Sequence, residues 1–141
     1  MKPFGSTLAF TRQRNEALLQ SWRHVINSTQ FIRLSEIGRL IVDSPAPRFW
    51  VSEERAANVI SAIDRGKPIL DTMRPTKREM FLEIHRRVSA LRPLRPGKFL
   101  IDIVHEVVNS PAPKFYMEPS SAIERLFKIR NGFYDNRKTN R

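Results

Sequence analysis

The chain contains no cysteine among its 141 residues. That excludes disulfides, thiolate zinc sites, iron–sulfur clusters and cysteine nucleophiles at once. Long apolar runs are missing too: charge breaks each one well short of the roughly 18 residues a membrane span needs. Arg12 and Arg14 interrupt the N-terminal stretch before an apolar signal core can develop, so no secretory signal is expected. The sequon Asn27-Ser28-Thr29 then lacks a secreted context, and the expected compartment is the cytoplasm, with no membrane association. Acidic residues are scarce: 14 Asp plus Glu against 25 Lys plus Arg leave a formal net charge of +11. With 40% hydrophobic residues the chain can still bury a core, which excludes wholesale disorder.

Catalytic signatures are also lacking. The three histidines are His24, His85 and His105. His105-Glu106 opens like a zincin motif, but Asn109 stands where the second histidine is required. Arg95-Pro96-Gly97-Lys98 lacks the first glycine of a phosphate-binding loop, and Phe99 follows the lysine in place of Ser or Thr. No nucleophile elbow and no dinucleotide fingerprint occur. The expectation is a non-enzymatic protein with no catalytic residues, no metal and no cofactor.

What the chain does have is a repeat. Residues 44–51 read SPAPRFWV and residues 110–117 read SPAPKFYM, identical at five positions and conservative at the other three. Ala56 and Ala122, Ile63 and Ile129, and Gly66 and Gly132 share the same offset of 66. Upstream, Leu34, Ile37 and Ile41 lie over Leu100, Ile103 and Val107, one face of a helix. Farther back the offset becomes 63, with Arg14–Leu19 over Lys77–Leu82 and Arg23 over Arg86. The three-residue difference falls in a connection, where insertions are tolerated.

Each unit reads as three helices. In the first they cover about residues 12–26, 35–43 and 53–65, with Ser35 and Ser52 as expected N-caps and Gly66 as the stop. In the second they cover about 77–91 and 98–109, then a helix from Pro119 to Gly132. Thr76 and Glu79 form an expected capping box. Ile69, Leu70 and Met73 make the joining stretch too apolar for a free linker. The expected fold is all-α: two tandem three-helix units, 1–66 and 67–141, packed about a pseudo-twofold as one six-helix domain. Either unit alone would hold a marginal core.

The SPAP segments admit two readings. Their prolines stop a helix and stiffen the chain, so they serve as rigid connectors with buried aromatics. Alternatively Arg48 with Trp50, and Lys114 with Tyr116, meet phosphate and base, or a protein partner. A helix-turn-helix comparison holds only by analogy. About eight residues separate the second and third helices, where a DNA-reading turn has about 3–4, and Glu53 and Glu54 open the first unit's third helix.

Charge is uneven along the chain. Residues 1–66 hold nine basic and six acidic residues, net +3; residues 67–141 hold sixteen and eight, net +8. The densest cluster is Arg74, Lys77, Arg78, Arg86, Arg87, Arg92, Arg95 and Lys98, joined by Lys114, Lys128 and Arg130, with Arg137, Lys138 and Arg141 beyond. Such a surface neutralises phosphates and binds DNA or RNA without sequence choice. An acidic protein partner fits the same charge.

The SPAPRFWVSEERA and SPAPKFYM stretches resemble segments of small, basic, uncharacterised proteins of gut anaerobes and their phages or mobile elements. The resemblance covers much of the first unit and matching pieces of the second. It implies a bacterial or phage setting and brings no activity.

Overall fold

The computed structural model describes residues 3–28 and 33–132, with side chains from Phe10 onward. It comprises helices α1 (Pro3–Ser28), α2 (Leu34–Val42), α3 (Glu53–Asp64), α4 (Pro75–Leu91), α5 (Leu100–Val108) and α6 (Pro119–Arg130). A single 3-10 turn at Arg92–Leu94 follows α4. The described residues contain no strand, so the all-α class stands. No described helix is long and apolar enough to cross a membrane.

Local chemistry explains the helix ends. The Ser52 hydroxyl accepts the Arg55 N–H at 3.1 Å, and Glu53 and Glu54 occupy the positive end of α3. Gly66, at φ 76°, turns the chain out of α3 while Lys67 N–H bonds back to Ala62 O at 3.0 Å. Gly132, at φ 75°, ends α6 in the same conformation. Three expected features differ. Helix α1 starts at Pro3 rather than near residue 12. Arg33, not Ser35, is the residue before α2. Pro75 takes the first position of α4, which places Thr76 inside the turn, so no capping box forms and Arg74 precedes the helix without a side-chain cap.

Packing groups the helices differently from the division at residue 66. Helices α1, α2 and α6 pack on one another, and so do α3, α4 and α5. The third helix of each sequence half therefore lies on the first two helices of the other half. The α3–α5 group is continuous in sequence, and two SPAP segments connect it to the α1–α2–α6 group.

Those segments meet. Ala46 and Ala112 exchange backbone hydrogen bonds of 3.0 and 2.9 Å as an isolated antiparallel bridge. Prolines flank both alanines, so each alanine holds the one amide in its Pro-Ala-Pro triplet able to donate. Phe49 N–H then reaches Val108 O at 3.0 Å, and Phe115 N–H reaches Val42 O at 2.8 Å. Phe49 and Phe115 are both fully buried, in one core cluster with Leu18, Ile41, Ile60 and Val104. Phe49 stacks on Tyr116 at 5.9 Å, and Trp50 lies against Phe115 at 6.0 Å. Gly38 permits a close approach of α2 to α6: a Cβ there would stand 3.0 Å from Pro119 O.

Candidate nucleic-acid interface

The cationic residues singled out from the sequence fall into three classes. The first is built into the fold. Arg48 is 9% exposed. Its guanidinium donates to Phe49 O at 2.8 Å, Val51 O at 2.6 Å and Asn109 Oδ1 at 3.3 Å, and it lies over the Phe10 ring. Burial lowers its pKa, and the Glu53 charge opposes that. Asn109 in turn donates to Glu53 at 3.0 Å. Burial would raise the Glu53 carboxyl, but the Asn109 hydrogen bond and the Arg48 and His105 charges hold it below its ordinary value. Arg78 donates to Leu70 O and Met73 O, at 3.2 and 2.8 Å, and so fastens the segment between α3 and α4. Arg87 donates to Pro111 O at 2.8 Å and stands 5.1 Å from the Phe49 ring centre. These guanidiniums satisfy carbonyls of the protein itself, and a phosphate would have to displace those bonds.

The second class is ion-paired. Arg86 and Arg87 share Glu83 at 2.6 and 2.7 Å. Hydrogen bonding to Arg86 first, and then to Arg87, pulls the Glu83 carboxyl down to about 2. Arg92 meets Asp64 at 3.1 Å, and His85 meets the same carboxylate at 2.9 Å. Together they outweigh burial and keep the Asp64 pKa low. Arg95 chelates Glu106 with bonds of 3.1 and 2.7 Å. Lys114 pairs with Glu79 at 2.9 Å and lies 5.7 Å from the Tyr116 ring centre.

The third class is Arg74, Lys77, Lys98 and Arg130, exposed and without an ion pair among the described residues. Lys128 is half-buried on α6. Arg137, Lys138 and Arg141 lie outside the described residues. Trp50 and Tyr116 are half-buried, each packed against the phenylalanine of the other SPAP segment.

Grouping the helices in space also redistributes charge. Residues 52–110 carry eleven basic and eight acidic residues, net +3. Residues 3–28, 33–43 and 118–132 carry eight and five, also net +3. The excess of the second sequence half disperses because acidic α3 packs on basic α4, while α6 joins the other group.

No family model, no curated protein and no solved structure matches this chain.

Two features escaped the sequence reading. Leu94 and Phe99 are 67% and 76% exposed, flanking Arg95 and Lys98. At the offset of 66 the residue matching Phe99 is Arg33, a contrast the sequence displays. The second feature is an apolar cleft between α1, α2 and α6. Its lining residues are scattered along the sequence, and packing alone brings them together. No group of three or more metal-ligating side chains occurs among the described residues.

Proposed function

We propose that this is a non-enzymatic nucleic-acid-binding protein that engages DNA or RNA backbones through exposed cations of its second half, in a bacterial or phage cytoplasm. The carrying observation is the set Arg74, Lys77, Lys98 and Arg130, which stays exposed and unpaired while neighbouring arginines are held by the protein's own carboxylates. Cations already fixed on carboxylates exchange partners at a cost, whereas free ones release counterions directly. The chain is also, in this reading, an internal duplication folded about a pseudo-twofold, with the two copies exchanging third helices. Its support is reciprocity at the sequence offset of 66: Ala46 bonds Ala112, and Phe49 to Val108 mirrors Phe115 to Val42.

Binding to duplex DNA, single-stranded DNA and RNA across a salt series tests the functional reading. Replacing Arg74, Lys77 and Lys98 together by Gln lowers the salt slope on duplex DNA by about 0.9 for each phosphate that is no longer neutralised. Absence of binding to all three nucleic acids at low salt overturns it. A protein-interaction adaptor is the second reading, favoured by exposed Leu94 and Phe99. Capture of an acidic protein partner that is lost in Phe99→Ser, with no nucleic-acid binding, decides for it.

A further inference from the structure

The cleft between α1, α2 and α6 has a volume of about 240 Å³. Its walls are Leu19 and Trp22 from α1, Leu34 from α2, and Ile123, Leu126 and Phe127 from α6. Leu34 and Phe127 remain 49% and 45% exposed, an unfavourable use of large apolar side chains unless something covers them. Arg130, the last residue of α6, is the one charged residue on the wall. Leu34 is the first residue of α2, whose N-terminus has no side-chain cap from Arg33. An anion at that mouth would therefore meet a guanidinium and the positive end of a helix. Glu36 sits in the same first turn but does not line the cleft.

The α3–α4–α5 group supplies a contrast, one that rests on the duplication reading. At the offsets of 63 and 66, Trp22, Phe127 and Arg130 correspond to His85, Ser61 and Asp64. There a hydrogen bond of 2.9 Å from His85 to Asp64, reinforced by Arg92, spans the gap. The same frame is thus closed by a polar bridge on one side and left as an apolar opening with a lone cation on the other.

We propose that this cleft is a binding site for a medium-chain aliphatic carboxylate, the chain lying along Trp22 and Phe127 and the carboxylate paired with Arg130. Apolar walls with one placed polar group are the usual construction of a small-ligand site.

The test is titration of the full chain with octanoate, octanol and octyltrimethylammonium, read by calorimetry and tryptophan fluorescence. Trp22→Phe leaves Trp50 as an internal control. Expected is saturable octanoate binding at least tenfold tighter than octanol, with the cationic analogue weakest. Arg130→Gln brings octanoate to the octanol level, and Phe127→Ser weakens both while thermal unfolding confirms the fold. Equal affinity for all three ligands overturns the proposal, as does no saturable binding. So does binding that appears only in a chain ending at Gly132, or a Phe127-dependent dimer that excludes octanoate. None of these outcomes depends on nucleic-acid affinity, so the two readings fail separately.

Discussion

Ser44–Val51 and Ser110–Met117 differ at three of eight positions, and the change at the cation decides how each segment is held. In the first, Arg48 turns inward and donates to two carbonyls of its own segment and to Asn109. In the second, Lys114 stays 35% exposed and reaches Glu79 on the surface. A lysine has no planar fork with which to satisfy several acceptors together. The second segment is secured from outside instead, by Arg87 of α4 on Pro111 O. It also takes Tyr116 to φ 57°, a conformation in which a bulky residue is strained. Identical prolines, alanines and phenylalanines can therefore be fixed by opposite means.

The largest effects should fall where the segments agree. Phe49→Ala and Phe115→Ala each remove a fully buried ring and should each cost about 4 kcal/mol in denaturant unfolding. Similar losses support equivalent roles for the two rings; a difference of about 2 kcal/mol or more breaks the equivalence. The cations come next. Arg48→Ala strands Val51 O, leaves Phe49 O with the Val51 N–H alone and takes one donor from Asn109, and should cost about 3 kcal/mol. Lys114→Ala removes a part-exposed pair and should cost under about 1 kcal/mol. Arg48→Lys should recover little, because the geometry of the fork is what is lost. Equal costs for Arg48→Ala and Lys114→Ala would sink the distinction between an internally and an externally held segment.

A smaller effect is expected at Gly38. Its counterpart at the offset of 66 is Val104, a full-sized core residue. Gly38→Ala forces α2 from α6 and should cost about 1–3 kcal/mol. A neutral result would mean that the α2–α6 packing relaxes freely.

How much of this was legible follows from which interactions are local. The caps at Ser52, Gly66, Pro119 and Gly132 depend on residues within a turn of each other, and the sequence displays them directly. Thr76 misled because a capping box and a first-position proline compete for the same register, and Pro75 prevails. The helix grouping was illegible. Similarity at the offset of 66 does not tell which helices the third helix of each sequence half packs on. The functional reading of the arginines suffered similarly. Arg86, Arg87, Arg92 and Arg95 form a dense basic run, yet the carboxylates that hold them include Asp64 and Glu106, brought near by packing. One of the three acceptors of Arg48, Asn109, lies 61 residues away.

Acid should separate the two segments by the smallest of these margins. Glu83 has a carboxyl pKa near 2, below its ordinary 4.5, because Arg86 and Arg87 bond its charged form. A depressed carboxyl contributes its full stabilisation above the unfolded value and loses it as the pH falls from about 4.5 toward about 2. The consequence reaches the second SPAP segment, since Arg87 also holds Pro111 O. At the offset of 63 the residue matching Glu83 is Gln20, which has no titration. Acidification should thus loosen the segment at Pro111 first, because at Arg48 it reaches only Glu53, behind Asn109, and leaves both carbonyl bonds in place. Amide exchange at Ala112 and Phe115 should rise below pH 4 before that at Phe49, and Glu83→Gln should flatten this dependence at a stability cost under about 1 kcal/mol. Simultaneous exchange at both segments would mean that the Ala46–Ala112 bridge opens as one unit. The difference in how the two cations are held would then be local, with no effect on how the domain comes apart.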